Sequence, residues 1–389
     1  MTTPCTLPLL FRITLLLGLR SRHRRLETLL RNCLVEQLGW MSDADFAQHA
    51  AMSANLPGLR GLTLVCASGI HLRGLGGALA ASAGYIGPGL VCAALLAGLW
   101  HIQGGAPWFA AGLRGVLVVS PAICLYAGLH MLFTATGRKP LAWALAAAAG
   151  LLFFIGLKPF SMLMGGAVLG VLLTPDPAGP APGTDCCCEA KPYPWGTALA
   201  AALPLAVAAG LCALLDASLG RLMLWTGKAG LFSLGGFGLY PLLFADLVRL
   251  RQWLDPVHFA QAMTLVDAIP GPYGGGALLL GARALGLGGL LAAAAGAFLP
   301  TLVMAVAVQP VRGAVAACKW APKALGGVSA VLAGLCLGLG AQLISVLQMA
   351  PGWDTLRIAL AAGAFVTLLM RNHPGIVLGA AFLAGATLL

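Results

Sequence analysis

The chain is 389 residues long, 59% apolar and only 9% charged, with a mean hydropathy of +0.91, which excludes a soluble globular domain and places it in a bilayer. Its net charge is +11, and five arginines crowd into residues 20–31. That run reads as a positive-inside loop touching anionic lipid or as a funnel for anions, while nucleic acid is excluded because the rest of the chain is membrane-embedded.

In chain order, the first apolar segment, residues 7–19, is followed rather than preceded by arginines and has no small-residue cleavage site. It is therefore expected to be a retained helix, not a signal peptide. Further segments begin near Gly58, Leu75, Trp108, Leu141 and Pro159. Residues 175–194 (PDPAGPAPGTDCCCEAKPYP) have linker composition, and residues 197–215 form an apolar segment with no counterpart in the first half. Six more begin near Leu222, Gly275, Leu287, Ala324, Ile358 and Pro374, giving about thirteen hydrophobic segments. Several meet or approach the roughly 20 apolar residues that span a bilayer, and nothing alternates as a β-barrel would. Segments 7–19, 58–72 and 275–285 are short or glycine-rich, as half-helices buried inside a protein are.

The segments are written twice. Residues 39–61 align without a gap with residues 252–274, matching Trp40 with Trp253, Phe46-Ala47-Gln48 with Phe259-Ala260-Gln261, and Pro57-Gly58 with Pro270-Gly271. One residue then drops out, after which Leu75-Gly76-Gly77 meets Leu287-Gly288-Gly289, Gly84 and Pro88 meet Gly296 and Pro300, and Gly115-Val116 meets Gly327-Val328. The unmatched segment at 197–215 puts the second copy in the membrane opposite to the first. The expected fold is an all-α polytopic membrane protein of two inverted repeats with broken or half-spanning helices, the sequence form of a secondary transporter. Its parts are a first repeat at 1–173, a linker at 174–196, a connecting helix at 197–220 and a second repeat at 221–389. Orientation is taken from the strongest basic loop, which puts residues 20–31 in the cytoplasm.

Two stretches in the second copy interrupt helices. Residues 227–243 (GKAGLFSLGGFGLYPLL) put Gly235, Gly236 and Gly238 around Phe237, where each glycine costs about 1 kcal/mol relative to alanine in a helix. Residues 269–276 (IPGPYGGG) hold Pro270, Gly271 and Pro272. A broken helix exposes amides at a positive terminus, a site for an anion. The plain alternative for each is a tight turn or close packing at small residues.

These residues carry a resemblance. GLFSLGGFGLYPLL, then Arg249-Leu250-Arg251-Gln252-Trp253-Leu254, Phe259, Ile269-Pro270-Gly271-Pro272, Gly288-Gly289 and Leu299-Pro300 resemble the chromate transporter family of bacterial oxyanion exporters. The likeness covers nearly the whole chain, is specific over residues 227–303 and is diluted over residues 11–91. In the first copy Arg22-His23-Arg24 stand where the glycine motif should be, and Pro57-Gly58 is followed by Leu59 rather than proline. In the second, Leu234 stands where the family has phenylalanine.

The resemblance and the breaks together nominate substrate-binding positions: Gly235, Gly236, Phe237, Pro270, Gly271 and Pro272, with Pro57 and Gly58 as the first-copy counterpart. Lys228 matches a basic residue frequent in the family and would offer a charge to an oxyanion, the alternative being a lysine snorkelling to the interface. Arg60 would offer a bidentate fork, the alternative being a loop charge on phospholipid. Asp267, one helical turn before Pro270, would carry a coupling proton if burial raises its pKa, the alternatives being a salt bridge with Lys228 or Arg283, or a carboxylate in water. Asp246 is expected at the interface, and His71, His101 and His130 as isolated structural histidines. Eleven cysteines form no CxxC pair, and only Cys186, Cys187 and Cys188 cluster, in the linker. No metal site and no cofactor are expected.

The family likeness implies proton-coupled chromate export by alternating access. The residues alone imply an anion, so sulfate or an organic carboxylate is the alternative substrate. The lost first glycine motif motivates a further alternative, a non-transporting sensor derived from a transporter. No P-loop, HExxH or clustered nucleophile and base is present, which excludes direct ATP drive and an enzyme. The expected partners are an inorganic oxyanion and the lipid of a bacterial inner membrane, with a homodimer left open.

Overall fold

The computed structural model describes residues 4–20, 26–135, 139–174, 195–234, 236–265, 269–272, 275–348, 355–370 and 374–388. Among them the chain is helical, with no strand. The first half runs α1 (Leu7–Arg20), α2 (Leu26–Arg31), a π-helix (Asn32–Gln37), α3 (Asp43–Ala54), α4 (Arg60–Gln103), α5 (Pro107–Ala135), α6 (Pro140–Ile155) and α7 (Pro159–Leu173). The connecting helix α8 (Trp195–Leu215) leads to α9 (Ala217–Phe232), α10 (Leu239–Leu243), a second π-helix (Phe244–Leu250), α11 (Pro256–Leu265) and α12 (Gly275–Val308). A 3₁₀ turn (Gln309–Val311), α13 (Arg312–Ala316), α14 (Trp320–Gln348), α15 (Thr355–Leu369) and α16 (Pro374–Leu388) complete it.

α4 and α12 are not single rods. In α4 the backbone leaves helical geometry at Arg73 (φ −146°, ψ 26°) and Gly74 (φ 59°, ψ −149°), and in α12 at Leu285 (φ −139°, ψ 25°) and Gly286 (φ 63°, ψ −152°). Only glycine adopts that second conformation readily. The chain reverses there, because a Cβ on Gly77 would lie 2.1 Å from the Gly69 carbonyl oxygen, and one on Gly289 would lie 2.1 Å from that of Gly281. Residues eight apart in a straight helix would be about 12 Å apart. Each hairpin therefore pairs a half-spanning arm, residues 60–72 or 275–284, with a long arm, residues 75–103 or 287–308. The short segments at 58–72 and 275–285 are half-helices, as their length implied.

Equivalent contacts repeat through both halves. Gly84 on the long arm of α4 admits the Thr14 hydroxyl of α1, and Gly296 on α12 admits that of Thr226 on α9. Gly18 rests on the Tyr85 carbonyl, and Gly230 on that of Ala297. The halves also exchange contacts reciprocally. The Pro57-Gly58 turn sets Gly58 against Thr301 of α12, while the Pro270-Gly271 turn sets Gly271 against Gly89 and Tyr85 of α4. α14 packs on α6 and α7 of the first half through Gly327, Gly334 and Gly338, and α5 packs on α16 of the second through Gly115. Such i-to-j and j-to-i pairing is the signature of a two-fold relation.

The direction of that two-fold follows from α5 and α14, which are equivalent spans. Gly128 faces Ala333 and Leu337, whereas Gly340 faces Cys124 and Leu125, so the register falls along one helix as it rises along the other. Equivalent spans run antiparallel, and the repeats are inverted. Among the described residues, four stretches are long and apolar enough to cross a membrane, Arg60–Gln103, Pro107–Thr134, Gly275–Val315 and Trp320–Gln348. Shorter apolar helices such as Pro140–Ile155 and Pro159–Leu173 pack on these through small residues, the usual membrane contact where hydrophobicity gives no drive.

If the hairpins hold the fold, Gly77→Val and Gly289→Val should each lower the melting temperature of detergent-solubilised protein by several degrees. Overpacking of this kind costs about 1–3 kcal/mol. Gly98→Val, on the same helix as Gly77 but with nothing within 4 Å of its Cβ, should melt like wild type. Identical melting of all three would remove the close backbone approach.

Candidate functional site

A cavity of about 220 Å³ lies between the halves. Leu26, Glu27, Leu59, Arg60, Gly61, Leu62, Leu64 and Tyr85 line it from the first half, and Leu234 and Pro272 from the second. Arg60, Gly61 and Leu62 are the first residues of the half-spanning arm, and no side chain caps that N-terminus. Its leading amides have no intrahelical acceptor and carry the positive end of the helix dipole. The Arg60 guanidinium adds a full charge, held 2.9 Å from the Glu27 carboxylate with both side chains about half exposed (50% and 49%). An exposed pair of this kind contributes about 0–1 kcal/mol, so an arriving anion can compete with Glu27 for Arg60.

The two helix interruptions meet at this cavity. α9 ends at Phe232, Leu234 has a positive φ of 44° and Gly236 a φ of 149°, and the chain resumes as α10 at Leu239. Pro272 comes from the second interruption. The π-helices Asn32–Gln37 and Phe244–Leu250 follow α2 and α10 in equivalent places. No local sequence pattern announced them.

Other nominated residues go elsewhere. Phe237 stacks edge-on against Tyr240 at 5.0 Å, packs with the cluster of Val119, Ile123 and Leu368, and does not line the cavity. Gly58 and Gly271 buttress the opposite half, and Pro57 and Pro270 shape those turns. Gly235 and Asp267, with Cys186, Cys187 and Cys188, lie outside the described residues.

Lys228 does not line the cavity. Its ammonium lies 2.5 Å from the Asp246 carboxylate, with side-chain exposures of 34% and 11%. Asp246 is buried rather than interfacial, because the widened turn after α10 carries it inward toward α9. From the same π-helix, Arg249 donates to the Phe153 carbonyl at 2.6 Å and to Gln342, its guanidinium 4.2 Å from the Phe153 ring centre. A cation at the C-terminal end of α6 is favourably placed, and this one ties α6 and α14 to the second π-helix.

His71 is not isolated either. It ends the half-spanning arm that Arg60 begins, lies 4.0 Å from the Asp45 carboxylate, and stacks edge-on with His49 at 5.3 Å between ring centres. His49 is 1% exposed, and neither ring nitrogen has a partner. Asp45 and His49 are one turn apart on α3, a spacing that would have flagged them. Nothing in the linear sequence pointed to their meeting with His71. Among the described residues no group of three or more potential ligands could hold a metal ion.

A family model described as Chromate transporter matches residues 27–171 and 220–386. A chromate transport protein of Cupriavidus metallidurans is 26% identical over 284 residues, covering 71% of this chain and 67% of that protein. No solved structure matches the chain.

Because Lys228 and Asp246 are partners, Lys228→Met should leave a buried carboxylate without its cation and reduce the amount of folded protein in the membrane. Breaking a buried pair costs about 3–5 kcal/mol, and the partial exposure of Lys228 puts this case at the low end. Lys228→Met with Asp246→Leu should recover most of the folded protein on fluorescence-detected size exclusion. Wild-type abundance for Lys228→Met alone would instead reserve that charge for a ligand.

Proposed function

The chain belongs to the chromate transporter family, and we propose that it is a secondary transporter that exports chromate or a related divalent tetrahedral oxyanion by alternating access between its inverted repeats. The observation that carries this reading is the cavity where Arg60, an uncapped half-helix N-terminus and the two helix interruptions converge. Each supplies part of what a small anion needs. Amides and dipole favour negative charge without base or acid chemistry, and the guanidinium matches two oxygens of a tetrahedral ion at once.

The place of the cavity supports alternation. It lies where the Pro57-Gly58 and Pro270-Gly271 turns bring one half against the long arm of the other, so a rocking motion of the halves changes its walls from both sides. Glu27 acts here as a resident counter-ion. In the absence of substrate it neutralises Arg60, and an oxyanion displaces it. Proton coupling is assigned in this reading to Asp267, which precedes the second turn in the chain. The relative from Cupriavidus metallidurans is a chromate transport protein by name, which favours chromate over sulfate or an organic carboxylate.

Uptake of radiolabelled chromate and sulfate into inverted membrane vesicles, with and without a pH gradient, tests the proposal. Arg60→Ala should raise the half-saturation concentration for chromate by about 10-fold or more, since a hydrogen bond to a charged group is worth about 1.5–3 kcal/mol. Glu27→Gln should lower it by removing the competing carboxylate. Asp267→Asn should abolish gradient-driven uptake and keep anion exchange. Unchanged half-saturation in both Arg60→Ala and Glu27→Gln would move the substrate away from this cavity.

A further inference from the structure

The far end of the half-spanning arm carries a second ionisable site. His71 lies eleven residues beyond Arg60, about 16 Å along the helix at 1.5 Å per residue, so one rigid rod joins it to the cavity. His49 of α3 stacks against it. The charged and titratable groups around His49 are His71 from α4, Arg312 from α13 and Asp45 on its own helix. From α2, Arg31 reaches α3 only at Asp43, 2.8 Å away. α3 is held to the second half by Arg312 donating to Gln48 at 2.9 Å and by Asn55 donating to the Val315 carbonyl at 3.0 Å. His49 thus sits beside the contacts that join α3 to α13 across the two halves.

That position makes a proton and the packing of α3 mutually exclusive. Neutral, His49 is accommodated in its buried place with both ring nitrogens unpartnered. Protonated, it would be a cation without an acceptor, close to the permanent charge of Arg312. Burial, then His71 and Arg312, hold its imidazole down to about 4, against an opposing pull from Asp45. Released to water it would return to about 6.5. The sign follows: the open state binds the extra proton, so packing of α3 is fully favoured above about pH 6.5 and is lost progressively as pH falls toward 4.

We propose that His49 and His71 form a proton-operated latch between the halves, in which a proton taken up by His49 frees α3 from α13 and lets Asp45 accept the new charge, while His71 passes the change along the half-spanning arm to the oxyanion cavity. The inference rests on the transport reading and adds to it, besides Asp267, a second group whose proton affinity differs between two conformations, so that pH biases the packing of the halves. The second half has no histidine at the position equivalent to His49. The positions equivalent to His49, His71 and Asp45 are Ala262, Arg283 and His258 of the second half, and the one equivalent to Arg312 is Trp100 of the first, with the Arg283 guanidinium 5.3 Å from the Trp100 ring centre. That face carries a fixed cation, with alanine where the buried imidazole would be.

The test uses the full chain in nanodiscs, without substrate, read by hydrogen–deuterium exchange from pH 8 to pH 5 after correction for intrinsic rates. Wild type should lose protection over residues 43–54 and 312–316 as pH falls, by about 10-fold per pH unit below 6.5 if opening and one proton are fully linked. His49→Ala, which copies Ala262, should show protection independent of pH, and His49→Gln should do the same if alanine at 49 fails to fold. A wild-type protein whose protection does not change with pH, or a His49 variant that keeps the full pH dependence, would overturn the latch. Chromate counterflow on the same preparations separates this outcome from failure of the transport reading. Loss of all chromate movement in wild type would defeat that reading and leave the exchange result to decide the latch.

Discussion

Two chain reversals inside the apolar layer govern the rest of this molecule. At Gly69 and Gly77, and again at Gly281 and Gly289, helical backbones touch with no side chain between them. In lipid there is little hydrophobic gain in pressing one apolar helix on another, so association relies on close van der Waals approach between small residues. The glycines provide that approach, and Gly74 and Gly286 provide the backbone angles that make the turn. Without them residues 60–103 would run as one rod, and no helix would begin in the interior of the protein.

A helix that begins in the interior creates the chemistry. Its leading amides lack intrahelical acceptors, which at membrane depth costs several kcal/mol per group unless something supplies an acceptor. Here the arm starting at Arg60 opens onto a cavity instead of lipid. The same reasoning orders the charges of the core. Lys228 has Asp246, Arg60 has Glu27, and Arg249 has the Phe153 carbonyl and Gln342. The arrangement leaves the most exposed of these pairings at the cavity, where an anion can exchange with a carboxylate at little net cost. The better buried pair, Lys228 with Asp246, stands on the second repeat and braces the helix interruption.

Much of this was legible in the sequence because backbone demands leave residue signatures. Glycine at matching places in two copies marked both hairpins, and the unmatched segment at residues 197–215 implied inversion before any helix direction was seen. Arg60 was readable as a cavity residue because it follows Pro57-Gly58. Side-chain partnerships were not legible. Asp246 was expected at the interface, and the π-helix that carries it in has no simple signature. Phe237, central to the recognisable motif, points into the packing between α5 and α15, so a residue can identify a family without touching its cavity. The packing of α1 on the long arm of α4, with Gly18 on Tyr85 and Gly84 on Thr14, matches that of α9 on α12 although the glycine motif is absent from the first copy's sequence.

The two copies have kept their packing residues and let their charges diverge, and in the proposed transport cycle that divergence is what makes the inverted pair directional. A perfectly symmetric protein would have outward-open and inward-open states of equal energy, and neither substrate nor proton could bias one over the other except by its own gradient. In this chain the glycines, the Phe-Ala-Gln segments and the Pro-Gly turns are common to both halves. Gln48 receives Arg312 across the halves, and the equivalent glutamine, Gln261, donates across them to the Leu113 carbonyl. Around those shared struts, one half has a buried histidine and the other an alanine, and Arg60 at the cavity aligns in sequence with Tyr273. In the proposed alternating-access cycle, packing defines the two states that interconvert, and the unequal charges define which of them is favoured.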